Sequence, residues 1–316
     1  MRPRLAFLGS PAFAVPSLEA AVAAHDVRVV ITQPDRPAGR GRAVEPTAVR
    51  VAAETLGLRV ETYTRAGRAA IDALLRQLDL DVLLVVAFGH ILKPETLAAA
   101  RHGAVNVHAS LLPRWRGVAP IERAIQAGDA VSGVTLMALD AGVDTGPMLA
   151  QRIVPIDASD TRVTLAGRLA REGAVLVREA LGAWVRGDQR AVPQPERGAS
   201  YAPRLEKHEA EIDWRAHPLC IWRHVRAFHG WPGAFTSAGS EILKVHVVQP
   251  VDLITTAAPG TIVQADERHG VHVACGGGTL EIVELQRPGR RAVSGREWLR
   301  GRDVRVGMRL GRPEAE

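Results

Sequence analysis

DVLLVVA at residues 81–87 is apolar after its first residue. A run of that length with no polar alternation is the pattern of a strand buried on both faces, at the centre of a parallel sheet. FGHIL (88–92) follows it as a loop, and PETLAAA (94–100) reads as a short helix with Pro at its start. AVNVH (104–108) is a second strand, ending in polar residues. The same alternation continues in both directions. Upstream, RLAFLG (4–9), DVRVVIT (26–32) and the short run 58–60 read as strands. Helical patterns at 16–24, 47–56 and 69–78 lie between them; the last places Ile71, Leu74, Leu75 and Leu78 on one face. Downstream, GVTLMAL (133–139) is a strand and 164–185 a long helix. Strand and helix in turn define a doubly wound, Rossmann-like α/β sheet. Ligands of such sheets sit beyond the carboxyl ends of the strands. Gly9 and Ser10, Phe88 and Gly89, and residues 108–110 all fall there, so one cleft is expected.

Residues 187–202 lose periodicity and carry Pro and Gly, the mark of a linker. A helix at 219–228 follows. After it come short strand-like runs: EILKVHVV (241–248), GTIVQA (260–265), HGVHVAC (269–275) and TLEIVELQ (279–286). Such runs predict a smaller β-barrel or sandwich. The expected division is a catalytic domain over 1–187, a linker over 188–206 and a second domain over 207–316.

The chain has 316 residues, 47% of them hydrophobic and 23% charged, enough for two cores. That composition excludes a disordered, collagenous or disulfide-scaffold protein. No run reaches the roughly 18–20 apolar residues of a spanning helix. MRPRLAFLGSPAF (1–13) lacks the apolar core of a secretory signal. Cys220 and Cys275 are the only cysteines, with no CxxC, so no metal site is expected and a reducing cytoplasm is the default. A monomer is expected. No internal repeat, G-x-G-x-x-G, Walker A or G-x-S-x-G motif is present, which removes the usual support for dinucleotide, P-loop or α/β-hydrolase chemistry.

The net charge is +6, and all but three of the forty basic side chains are Arg. A GC-rich genome or a polyanionic partner would each produce this. The arginines are not evenly spread. QPDRPAGRGRAVEP (33–46) is a mobile basic loop by composition, and residues 287–312 hold nine Arg against Glu297 and Asp303.

The densest polar cluster is Asn106-Val107-His108. Two residues apart on a strand, Asn106 and His108 project to one face. An Asn amide suits a developing oxyanion, and a His suits proton transfer near neutral pH. Asp144 lies in DAGVDTG (140–146), after another strand; near His108 it would attract a proton to the ring. Together they suit acyl transfer to an amine. Spacing alone favours a His that ends a strand and an Asp in a turn. Direct amine attack needs no covalent nucleophile such as Ser110, and no base is suggested beside Cys220 or Cys275. His102 and His108 have no helical metal-ligand spacing. Trp115 reads as packing, and Arg116 stays open between a phosphate contact and packing.

NVHASLLPRWRGVAPI (106–121) and DAGVDTGPML (140–149) resemble the two signatures of the folate-dependent formyltransferases. FLGSPAFAVPSL (7–18), TQPDRPAGRGR (32–42), LEKHEAEIDW (205–214) and APGTI (258–262) resemble the branch that acts on aminoacylated initiator tRNA. Ala12 departs from a commonly acidic family position and touches no catalytic role. The resemblance implies that the amine of methionyl-initiator tRNA attacks the formyl carbon of 10-formyltetrahydrofolate. It implies a catalytic trio of Asn106 and His108, which stabilise the tetrahedral oxyanion, and Asp144, which tunes His108 and proton transfer. It implies a folate site lined by Ser110, Leu111, Leu112 and Pro113, by Phe88, Gly89, Ile91 and Leu92, and by Asp140, Gly142 and Val143. It also implies that Arg36, Arg40 and Arg42 enter the acceptor arm of the tRNA, and that an OB-fold-like second domain holds its backbone. Without the resemblance, the Arg loop reads as a solvated one. A formyltransferase for an amino-sugar nucleotide would share the trio but would not need the basic loop. An RNA-binding protein with a decayed enzyme domain would not need the trio.

Overall fold

A computed structural model describes residues 2–38, 43–300 and 304–311. The chain forms two compact units. The first holds residues 1–120, 131–155 and 165–202; the second holds 121–130, 156–164 and 203–316. The expected linker therefore divides: residues 188–202 belong to the first unit.

The first unit is built on a seven-stranded sheet: β1 (Arg4–Gly9), β2 (Asp26–Thr32), β3 (Val60–Thr62), β4 (Val82–Val86), β5 (Ala104–His108), β6 (Val131–Ala138) and β7 (Met148–Pro155). Its order is β7-β6-β5-β4-β1-β2-β3. β1 to β5 run parallel, while β6 is antiparallel to β5 and β7 to β6. Every residue of β4 is buried, as an apolar central strand requires. One face packs Ala6, Leu8, Val29, Ile31, Leu83 and Val85 against Ile71 and Leu75 of the helix Arg68–Gln77, with Leu74 and Leu78 at its margin. On the other face, Val107 meets Gly173, where any Cβ would come within 2.8 Å of the Val107 side chain. Gly173 belongs to the helix Arg162–Leu176, which continues through a π turn at Val177–Leu181 into Gly182–Val185.

Three features differ from the sequence reading. Arg36–Ala38 pairs with Ala43–Glu45 as a short antiparallel ribbon inside the expected loop. β7 is a full edge strand whose mixed burial hides its period. A helix over Pro120–Ala127, to which the sequence reading assigns no element, begins where the first unit ends. Polar pairs within the second unit account for that grouping. Arg123 pairs with Glu209 at 2.8 Å, and the Arg226 guanidinium donates to the carbonyls of Asp157 and Asp160 at 2.6 Å each.

The second unit is an antiparallel sheet of β8 (Phe235–Ala238), β9 (Glu241–Val251), β10 (Ile262–Asp266), β11 (Gly270–Cys275), β12 (Gly278–Gln286) and β13 (Ala292–Ser294), in the order β8-β9-β12-β11-β10 with β13 also on β12. Residues 307–311 join its two edges. Gly307 N–H donates to Ile262 O, Ile262 N–H to Met308 O, and Leu310 N–H to Gly260 O; on the far side, Gly311 N–H donates to Ser237 O. Closure of this kind removes the unpaired edges of a sheet, and the result is a small barrel. Leu243, Val245, Val273, Leu280, Ile282 and Leu285 fill it. Trp214 Nε1 donates to Thr236 Oγ1 at 2.9 Å inside that core.

Candidate active site

β5 sets the site. Its alternation directs Ala104, Asn106 and His108 to one face, and the register pairs Asn106 with Val85 on one side and Met137 on the other. Ala104 is within the packed cluster. Asn106 is half-buried and His108 is 6% exposed.

The loop after His108 turns back upon it. The Leu112–Pro113 peptide is cis, and Trp115 adopts φ +62. The His108 Nε2 atom then lies 2.9 Å from the Trp115 carbonyl. A carbonyl only accepts, so Nε2 carries the hydrogen, and Nδ1 is the nitrogen left for chemistry. Ser110 is fully buried, and its hydroxyl donates to the Arg114 carbonyl at 2.6 Å. Thr135 on β6 pins the loop from below. Its hydroxyl donates to Ser110 O and accepts the Leu112 N–H, and Gln151 on β7 donates to both Thr135 Oγ1 and Leu112 O. Leu112 is buried, while Leu111 and Pro113 are half-buried.

Asp144 reaches the site by a route that strand direction does not suggest. His108 pairs with Thr135 and Val105 with Ala138, so β6 runs away from His108 by about 3.3 Å per residue. Nevertheless, Asp144 Oδ2 lies 3.5 Å from His108 Nδ1. The loop therefore folds back along the sheet. That distance is close enough for charge attraction and longer than a good hydrogen bond. Asp144 sits at φ +53, a left-handed conformation that a residue with a side chain adopts at a cost. Gly117 N–H donates to Asp144 Oδ2 at 2.8 Å. Asp140 organises the start of the loop by accepting from Gly142 N–H and the Thr145 hydroxyl. At its end, a Cβ on Gly146 would fall 2.0 Å from the Ala138 carbonyl, so only Gly fits. Gly142 and Val143 are exposed, Val143 at 50%.

From the stretch 188–202 one residue reaches this loop and another holds the loop after His108. Gln194 Nε2 donates to the carbonyls of Asp144 and Gly146 at 2.8 Å each, and its Oε1 accepts from Arg116 Nε at 3.0 Å. Arg116 is 3% exposed. Ser200 accepts the Trp115 N–H on its hydroxyl and the Arg116 N–H on its carbonyl. Sequence reading missed Gln194 because nothing marks a Gln in a segment without period.

Gly117→Ala is expected to injure both fold and activity. Gly117 has φ +108, and a Cβ there would lie 2.8 Å from the Ala202 carbonyl. Urea unfolding should show a loss of about 1–3 kcal/mol. Catalytic turnover should fall with it, because the same backbone N–H donates to Asp144; unchanged turnover would separate this N–H from the chemistry.

The loop after β4 leaves the carboxyl end of the strand beside β5. Phe88 and Leu92 turn into the core, while Gly89 and Ile91 face solvent, Ile91 at 81%. Tyr63 packs edge-on to Phe88 at 5.2 Å, and His90 lies 4.9 Å from Tyr63. Gln33, at the end of β2, ties the loop down. Its Nε2 donates to the Phe88 carbonyl at 2.6 Å, and its N–H to the Ser10 hydroxyl. Burial holds the His90 pKa below its ordinary value, and the charges of Arg65 and Arg36 act in the same direction. Arg36 on the basic ribbon is thus within electrostatic reach of this loop. Arg40 and Arg42 lie outside the described residues. Among the described residues, no group of three His, Cys, Asp or Glu side chains is placed to hold a metal ion, and no helix is long and apolar enough to cross a membrane.

Residues 4–181 match the formyl transferase family model, and residues 204–303 match the formyl transferase C-terminal domain. A methionyl-tRNA formyltransferase of Acidiphilium cryptum is 48% identical over 310 residues, covering 98% of this chain and 100% of the relative. One from Gluconacetobacter diazotrophicus is 48% identical over 312 residues, covering 98% of this chain and 99% of the relative. The fold also matches a crystal structure of an N-formyltransferase from Helicobacter canadensis, with TM-score 0.68 and 20% identity over 90% of this chain and 98% of that one. Two domain matches in order and near-complete coverage at this identity leave one assignment: the chain belongs to the methionyl-tRNA formyltransferases.

Proposed function

We propose that Asn106, His108 and Asp144 carry out formyl transfer from 10-formyltetrahydrofolate to the amine of methionyl-initiator tRNA. The observation that carries this reading is the approach of Asp144 to His108 Nδ1 at the carboxyl end of β5. The folate supplies an activated formyl group. The Asp144 carboxylate receives the proton that the attacking amine must lose. With His108 as the imidazolium, which Asp144 favours and in which Nδ1 carries a second hydrogen beside that on Nε2, this Nδ1–H and the Asn106 amide donate to the oxygen as it gains negative charge. Its Nε2 bond to Trp115 holds the ring in place meanwhile. His108 then gives a proton to the departing nitrogen, so one proton is removed and one delivered per cycle.

The walls of the cleft fit a flat heteroaromatic group. Ile91 and Val143 offer exposed apolar side chains, and Gly89 and Gly142 expose backbone beside them. Phe88, Leu92 and Leu112 support these walls from the core. Ser110 shapes its own loop from within through its bond to the Arg114 carbonyl, and Leu111, Pro113 and Asp140 complete the proposed folate site. No metal takes part in this scheme.

Arg36, Arg40 and Arg42 contact the acceptor arm, and the basic barrel holds the tRNA backbone. The enzyme acts as a cytoplasmic monomer, whose mass in solution should be 33.9 kDa. The test is transfer from 10-formyltetrahydrofolate to methionyl-initiator tRNA, with an amino-sugar nucleotide as the competing acceptor. Transfer to tRNA alone supports the reading, and transfer to the sugar overturns it. Arg42→Ala is expected to raise the KM for tRNA with folate binding unchanged. Equal loss of folate affinity would remove the tRNA role from the loop.

A further inference from the structure

We propose that Gln194 is a positioning residue for the transfer reaction, held by Arg116 and acting through Asp144. The inference rests on the catalytic reading of Asp144 given above.

The Gln194 side-chain amide has two hydrogens and one carbonyl oxygen, and all are engaged. Both hydrogens go to backbone carbonyls that flank the critical turn, those of Asp144 and Gly146, at 2.8 Å each. The oxygen faces Arg116 Nε at 3.0 Å. The orientation of the amide is fixed by this chemistry, because carbonyls need donors and a guanidinium needs an acceptor. Arg116 is buried, so its charge is costly unless hydrogen-bonded. The arrangement holds Asp144 in its left-handed conformation from the main-chain side, while Gly117 N–H fixes Oδ2 from the other. The carboxylate is then aimed at His108 Nδ1 with few remaining degrees of freedom. The Asp144 loop leaves β6 on the side away from His108, so its return depends on such restraints.

Gln194→Glu separates positioning from folding. The carboxylate keeps an acceptor for Arg116, but it replaces the NH2 group and its two donors with one oxygen that repels the carbonyls of Asp144 and Gly146. Turnover should fall roughly 10- to 100-fold, the scale of a displacement near 1 Å. KM for 10-formyltetrahydrofolate and for methionyl-initiator tRNA should stay at wild-type values. Combined with Asp144→Asn, Gln194→Glu should add no further loss, since both act through one carboxylate. A second variant guards against misfolding: Arg116→Met with Gln194→Met removes the charge and its partner together and should show the same loss of turnover.

Wild-type turnover in Gln194→Glu or in the double Met variant would overturn the proposal. So would a defect confined to KM, or a full additional loss on top of Asp144→Asn. If Asp144→Asn alone retained full turnover, the catalytic reading would fail first, which is distinct from an inactive Asp144→Asn beside an unaffected Gln194→Glu.

Discussion

Asp144→Asn and His108→Ala are each expected to lower the turnover of formyl transfer by roughly 10²- to 10⁴-fold, the range for loss of a positioned acid or base. Asp144→Asn keeps the shape of the side chain and still offers an oxygen to the Gly117 N–H, which now reaches Asp144 Oδ2 at 2.8 Å. It removes the charge that faces His108 and, with it, the proposed acceptor of the amine's proton. His108→Ala removes a ring that is nearly buried and anchored on the Trp115 carbonyl. Some destabilisation should therefore accompany it, and Asp144→Asn is the cleaner measurement. Single-turnover rates with bound methionyl-initiator tRNA read the chemistry directly. Retained tRNA binding with lost transfer supports the assignment. Retained transfer in both variants would place the chemistry elsewhere. Retained transfer in Asp144→Asn alone would leave proton removal to solvent.

Stopping the chain after Val306 is expected to unfold the second unit. The missing segment supplies Gly307 and Met308 to Ile262, Leu310 to Gly260 and Gly311 to Ser237. Four backbone bonds at about 1 kcal/mol each and one buried Leu at about 2 kcal/mol come to about 6 kcal/mol. That equals the whole stability of many domains, about 5–15 kcal/mol. Leu310→Ala isolates the side chain, which is 2% exposed, and should cost about 2–5 kcal/mol. Urea unfolding followed by tryptophan fluorescence measures both, because Trp214 is buried beside Gly311 and bonded to Thr236. A truncated chain as stable as the full one would mean that the barrel does not depend on this closure.

Much of the fold and part of the site are legible in the residues themselves. β1, β2, β4 and β5 are marked by continuous or near-continuous apolar runs, because strands covered on both faces must exclude polar groups. Asn106 and His108 share a face by the two-residue period of a strand, which holds regardless of what surrounds it. The family signatures bring Asp144 into the same reading, although its geometry does not follow from them. The second unit's strands are equally visible, since turn residues separate them.

What tertiary structure alone decided is of another kind. β7 carries mixed burial, so its period is weak, and the helix Pro120–Ala127 is amphipathic but only eight residues long, too short for its period to stand out in the chain. The closing of the barrel depends on residues 307–311, which form only isolated bridges and have no pattern of their own. The left-handed turn at Asp144, the return of its loop against the direction of β6, and the grip of Gln194 and Arg116 join residues up to 78 apart in sequence. Periodicity records which side of an element is buried. It carries no record of which distant backbone carbonyl a polar side chain will meet, because that bond exists only once the chain has folded.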